Sequence, residues 1–179
     1  DDKKAATEQK SIEVLAAPER VFLPLSMHIG APCQPLVHVG DTVGLGQKSA
    51  DSESPVSCPV HASVSGKVAA IEAYPHPNGS LSQTVVIEND FQDTLHESVR
   101  AHGSAESLSG EEITAIIHEA GIVGLGGATF PTHVKISSGL SKVDTLIING
   151  AECEPYITSD FRIMMESPEE IIGGVRALM

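Results

Sequence analysis

Basic residues are scarce in this chain: 11 lysines and arginines stand against 24 acids over 179 residues, for a net charge of −13. Such a surface repels a phosphate backbone or an anionic lipid face, which excludes nucleic acid and charged membranes as main partners. Long apolar runs are missing too. No stretch of about twenty apolar residues is available to span a bilayer, and no basic leader with an apolar segment marks secretion. The expected address is therefore cytoplasmic, without direct membrane insertion. Cysteine is sparse: Cys33, Cys58 and Cys153 lie far apart with no Cys-x-x-Cys pair. That excludes a disulfide framework and an iron–sulfur cluster held by this stretch, and the three are expected to be reduced thiols. Glu152 and Glu154 beside Cys153 would raise a thiol's pKa, which argues against a nucleophile there. The eight histidines are scattered without the spacing of a metal pair, so no metal ligands are expected.

What is present concentrates between Gly121 and Lys135, a stretch reading Gly-Ile-Val-Gly-Leu-Gly-Gly-Ala-Thr-Phe-Pro-Thr-His-Val-Lys with four glycines. Glycine lets backbone approach a ligand closely and turns successive amides toward an anion, and Lys135 adds a compact positive charge. Phosphate is the natural guest. The spacing is neither that of a P-loop nor that of a Rossmann fingerprint, and a tight structural turn is the competing reading. His133, between Thr132 and Val134, reads as a surface or loop residue rather than an acid/base catalyst and receives no role.

A helix leads into the loop. Ser109 and Glu112 form a capping-box pattern, Ile113, Ile116, Ile117 and Ala120 repeat along one face, and Gly121 ends it. Beyond the loop, Asp144 to Ile148 reads as a short buried strand broken by Asn149-Gly150. It is followed by Ala151-Glu152-Cys153-Glu154-Pro155-Tyr156, where Glu152 and Glu154 would share a face if extended. A solvated acidic turn is the alternative.

The segments Gly-Leu-Gly-Gly-Ala-Thr-Phe-Pro-Thr-His-Val-Lys and Ile-Asn-Gly-Ala-Glu-Cys-Glu-Pro-Tyr-Ile-Thr, in that order, resemble the RnfC family. That family supplies the electron-input subunit of an ion-translocating oxidoreductase complex; a more distant resemblance is to the flavin-bearing subunit of respiratory complex I. The resemblance implies that Gly124, Gly126 and Gly127 lie against FMN, with Lys135 beside its phosphate or ring edge and Asn149 and Glu152 at its ribityl or phosphate end. Phe130 and Glu154 would face NADH; a core anchor is the other reading of Phe130. The chain departs from the complex I pattern at Leu125 and Ala151, where those relatives carry Arg and Asp. Thr129 stands where a small glycine is usual, and a β-branched residue there resists positive φ. Near Ser159-Asp160-Phe161 the family commonly has Cys-Asp-Asp.

The N-terminal part is strand-rich: Pro35 to Gln47 and Pro59 to Ile71 alternate short β-prone runs with glycine turns. This resembles the barrel-sandwich hybrid of lipoyl and biotinyl domains, with which the RnfC family begins. A carrier lysine would stand at a hairpin apex; Lys48 is close to the preceding turn instead, and a packing or docking role is expected for it. The expected fold is therefore a mixed α+β and α/β chain. Residues 1–100 form a barrel-sandwich β module, and residues 101–179 begin a Rossmann-like α/β domain for FMN and NADH. An apolar content of 41% is enough for a packed core. Ser167-Pro168-Glu169-Glu170 is a strong helix start, and the apolar pattern after it still runs at Met179. The sequence accordingly reads as a fragment, with FMN held weakly or not at all by the piece alone and iron–sulfur clusters in a further part. The expected activity is NADH-dependent electron transfer through FMN, with no catalytic side chain assigned. Partners are the other subunits of an Rnf-type membrane complex, at its cytoplasmic face, or a soluble reductase. A non-catalytic assembly module, with the glycine loop as a plain turn, is the reading from another class.

Overall fold

The computed structural model describes residues 2–179, which contacts divide into two compact units. One unit gathers Ala17–Gly103 with Thr114–Ser138; the other gathers the chain up to Ala16 with Ser104–Ile113 and Gly139–Met179.

The first unit holds the strands β1 (Arg20–Pro24), β2 (Gln34–Pro35), β3 (Thr42–Val43), β4 (Lys48–Asp51), β5 (Val60–His61), β6 (Gly66–Pro75) and β7 (Leu81–Asn89). They form two antiparallel sheets, ordered β1-β7-β6-β3 and β2-β4-β5. β7 is central because Thr84-Val85-Val86-Ile87 is buried residue after residue, which requires cover on both faces. One core cluster includes residues of both sheets, with Leu23, Val68, Val85 and Ile87 from the larger and Ala50 and Val60 from the smaller. Each buried Val, Leu or Ile adds roughly 1.5–3 kcal/mol, so this cluster dominates the unit's stability. The strand-rich module expected from Pro35 to Ile71 is present, and its longest hairpin extends beyond that stretch to Asn89.

Gly66 lies where β6 is paired on both sides, opposite Val43 of β3 and Asn89 of β7. Its φ is +154°, and a Cβ there would run into the Glu88 carbonyl. The hairpin turn after β6 is closed by His76 N–H donating to the Ser80 carbonyl at 2.8 Å and by Asn78 Oδ1 accepting from Ser80 N–H at 3.0 Å.

Helix α1 (Gly110–Glu119) begins and ends as its sequence requires. Ser109 N–H donates to the Glu112 carboxylate at 2.7 Å while Ser109 Oγ accepts from Glu112 N–H at 3.2 Å, a complete capping box. At the other end Gly121 takes φ +69°, with Gly121 N–H bonded to the His118 carbonyl and Ile122 N–H to that of Ile117. These two bonds are a Schellman motif. Helix α2 (Thr132–Gly139) follows the glycine loop.

In the second unit, α3 (Ser159–Glu166) and α4 (Pro168–Leu178) follow each other closely, with Pro168 in the first turn of α4 as expected. The chain's first residues strap onto this region. Lys4 Nζ donates to the carbonyls of Ile157 at 2.6 Å and Glu154 at 3.2 Å, and Thr7 Oγ1 to that of Tyr156 at 2.7 Å. Ile12 N–H reaches the Glu166 carboxylate at 3.1 Å, and Glu166 also pairs with Arg162.

One expectation is corrected. Asp144 to Ile148 forms no strand among the described residues, and Ile147 is 82% exposed. Among its described residues the second unit contains no strand with which it could build a ladder, and a lone extended segment cannot satisfy its backbone. No helix among the described residues is long and apolar enough to cross a membrane.

Candidate functional site

The glycine loop is a hairpin-like excursion between α1 and α2. Its base is closed by an antiparallel bridge between Val123 and Pro131, by Gly124 N–H donating to the Phe130 carbonyl at 2.9 Å, and by Thr132 N–H donating to the Ile122 carbonyl at 3.0 Å. The Gly124 amide is therefore occupied and cannot meet an anion. The amides of Leu125 to Thr129 donate no hydrogen bond among the described residues. The tip is open: Gly126 and Gly127 face nothing within 4 Å where a Cβ would stand, Gly127 has φ +95°, and Leu125 is 88% exposed.

Lys135, in the first turns of α2, folds back over this base. A Cβ on Gly124 would meet Lys135 Nζ at 2.6 Å, so the ammonium lies against the one glycine that leaves room for it. Thr129 takes φ +46°, the conformation a β-branched residue resists, and holds it next to the half-buried Phe130. Free amides, open glycines and one ammonium are groups that suit an anion such as phosphate.

The loop starts from a firm seat on the barrel. A Cβ on Gly121 would meet the Pro59 carbonyl oxygen at 2.6 Å and His61 Nδ1 at 3.0 Å, and Cys58 Sγ donates to the Ile122 carbonyl at 3.5 Å. Cys33 Sγ in turn donates to the Cys58 carbonyl at 3.1 Å. Burial first, then Asp51 and Cys58, pushes the Cys33 thiol up to about 11, so it stays protonated at neutral pH. Cys58 is raised by burial and then Asp51. Both are buried thiols, while Cys153 is exposed.

Two histidines bracket the loop: His118 near the end of α1 and His133 at the start of α2, with ring centroids 4.3 Å apart. His133 Nδ1 is buried and has no hydrogen-bond partner among the described residues. Burial, followed by His118, lowers the His133 pKa; burial also lowers His28 and His61, and His28 Nε2 accepts from Cys58 N–H at 3.0 Å. A histidine with a depressed folded pKa takes up protons more readily when unfolded. Its stabilisation is therefore present above the ordinary value of 6.5 and is lost as pH falls below it. The thermal midpoint of the barrel unit is expected to be level from pH 8 to 7 and to drop as pH falls through 6, measured by circular dichroism; a level midpoint down to pH 5 would contradict this.

Asn149, Glu152 and Glu154 belong to the other unit. Asn149 Oδ1 accepts from Ala151 N–H at 3.0 Å, closing a local turn. Glu152 accepts from Phe161 N–H at 3.0 Å, in the first turn of α3, so its carboxylate caps a helix whose Thr158 makes no side-chain cap. Glu154 is exposed at a bend just before the Pro155–Tyr156 turn rather than in an extended strand, and its carbonyl, not its carboxylate, holds Lys4. Sequence reasoning missed the His118–His133 pair, the capping role of Glu152 and the links of Lys48. The first had a signal, one histidine on each flank of the loop, and so did the i,i+3 pair of Lys48 with Asp51; Lys48 with Glu119 and Glu152 with Phe161 join residues with no local pattern between them.

Among the described residues no cluster of three or more histidine, cysteine or acidic side chains could hold a metal ion. Comparison with known families gives two matches: the RnfC barrel sandwich hybrid domain over residues 1–92 and the Nuo51 FMN-binding domain over residues 117–179. The chain is 47% identical over 178 residues to the C subunit of the Na+-translocating ferredoxin:NAD+ oxidoreductase complex of Acetobacterium woodii, covering 99% of this chain and 40% of that protein. It is also 47% identical over 180 residues to the C subunit of the proton-translocating ferredoxin:NAD+ oxidoreductase complex of Clostridium ljungdahlii, covering 100% and 39%. The C subunit of the ion-translocating oxidoreductase complex of Rhodobacter capsulatus is 43% identical over 176 residues, covering 96% and 34%. The chain thus spans about two-fifths or less of the length of these curated relatives.

Proposed function

Since the chain belongs to the RnfC family, we propose that it is the electron-input part of an ion-translocating oxidoreductase, exchanging electrons between NADH and iron–sulfur clusters by way of FMN. The observation that carries this reading is the loop itself, where the amides of Leu125 to Thr129 donate no hydrogen bond among the described residues, Gly126 and Gly127 are open, and Lys135 Nζ lies against Gly124. The FMN-binding family match begins at residue 117 and runs through this loop.

In this reading Gly126 and Gly127 give the flavin close access to the backbone, Gly124 lies against the flavin site by leaving the room that Lys135 Nζ fills, and Lys135 neutralises phosphate or reduced-ring charge. When bound, FMN would supply acceptance of one hydride and release of its two electrons singly, chemistry the protein's side chains cannot perform. Asn149 and Glu152 serve the ribityl or phosphate end. Phe130 offers an apolar face to NADH and Glu154 a carboxylate for ribose hydroxyls. No side chain acts as acid or base.

The domain division of the reading is a barrel over residues 1–100, lipoyl- or biotinyl-like in shape, and the start of a Rossmann-like flavin domain over 101–179. The two family matches, over 1–92 and 117–179, support it. Iron–sulfur clusters belong to a further part of the full-length protein. In this reading the protein sits at the cytoplasmic face of a membrane complex and makes its contacts through sister subunits; the relatives, each named as a subunit of an ion-translocating complex, support the second point.

Lys135→Ala and Gly126→Val in the full-length protein are expected to abolish flavin retention while circular dichroism of the barrel is unchanged. Flavin retained in both would remove the loop from the site. Glu154→Ala should leave FMN bound and slow its reduction by NADH; an unchanged rate would discharge Glu154. FMN fluorescence quenching should report weak or no binding by this chain and firm binding by the full-length protein.

A further inference from the structure

Lys48 is drawn into an arrangement unlike that of a carrier lysine. Its Nζ lies 2.6 Å from Glu119 Oε2 and 3.0 Å from Asp51 Oδ2, with 27% of its side chain exposed. Glu119 is the last residue of α1, and just beyond it Gly121 reverses the chain onto the Pro59 carbonyl.

We propose that Lys48 is a positioning residue for the glycine loop, its ammonium tying the end of α1 to β4 of the barrel and so fixing where the loop begins. The functional meaning of this tie rests on the flavin reading of the loop; its geometry does not. Burial alone would depress the Lys48 pKa, but the Glu119 and Asp51 carboxylates outweigh it and hold it above its ordinary value. The ammonium is therefore kept charged between two anions, the opposite of a free arm that swings. Of the other links at this junction, Gly121 on Pro59 and Cys58 Sγ on Ile122 are uncharged, and the His61 ring, its pKa lowered by burial, bonds the backbone of Glu119. The Lys48 tie is the Lys–carboxylate ion pair among them and is the one expected to weaken as salt rises. Glu119 is 61% exposed, which limits the pair to the strength of a partly solvated bridge.

Hydrogen exchange of residues 121–131 in the flavin-free full-length protein reads the tie directly. Lys48→Met and Glu119→Gln should each speed exchange there about two- to five-fold while β7 amides are unchanged. The double variant should be no faster than the faster single one, because both remove one interaction. Raising salt to about 0.5 M should move wild type toward the Lys48→Met rate and leave that variant unmoved. Both variants should loosen FMN by a similar about two- to five-fold factor. Exchange unaltered in both single variants, additive effects, or equal salt responses would overturn the proposal. If exchange responds as stated but Lys135→Ala and Gly126→Val keep their flavin, the tie stands and the flavin reading falls. If those two lose flavin while Lys48→Met and Glu119→Gln match wild type in exchange and affinity, the tie falls alone.

Discussion

Gly66→Ala is expected to cost the barrel about 3 kcal/mol, the sum of overpacking in a filled sheet and of a backbone conformation that a side chain resists. The added methyl would have to occupy the position of the Glu88 carbonyl, on the strand paired with Gly66 itself. It cannot swing away, because β6 is held on its other side by Val43 of β3. Relief therefore requires parting β6 from β7, and that pairing carries Val68, Val85 and Ile87 into the core. Urea unfolding followed by circular dichroism should show the midpoint falling with little change in slope. An unchanged midpoint would mean that the two strands can separate at this point without cost, contrary to the packing of the sheet.

The second large effect concerns the seat of the loop. Gly121→Ala should cost about 2–3 kcal/mol, combining the left-handed conformation with a clash against fixed backbone. Asparagine separates the two causes, since it tolerates φ near +69° better than alanine but still carries the Cβ that meets Pro59 oxygen at 2.6 Å. Because that contact is with backbone in a buried strand region, Gly121→Asn is expected to be nearly as damaging. Recovery of wild-type stability by asparagine would show that conformation alone sets the cost. The damage should be local, with faster exchange at 121–131 and protected amides in β7.

Local chemistry made part of this molecule legible from sequence. Ser109, Glu112 and Gly121 announce α1 because capping and chain reversal depend on residues within a turn of each other. The strand-rich module announced itself through glycine turns and β-prone runs for the same reason. Leu146-Ile147-Ile148 misled because an apolar run signals burial only where something covers it, and whether a partner strand exists is not a local property. In the site, glycine spacing pointed to the loop and Thr129 to backbone strain, both seen in its dihedral angles. That Gly124 spends its amide on Phe130, and that Glu152 caps α3, follows from geometry no single-residue preference encodes.

The strap formed by Lys4, Thr7 and Ile12 has a consequence for the order of events during synthesis. Its partners are Glu154, Tyr156, Ile157 and Glu166, so the first residues of this stretch to leave the ribosome bond to some of the last. The barrel strands between Arg20 and Asn89 can pair long before those partners exist. Closing so long a loop carries an entropic cost that the strap's few bonds repay only once α3 is formed. The strap segment must therefore wait unattached while the barrel folds, and a bulky group placed beside it at birth would meet its obstacle at the final step of folding.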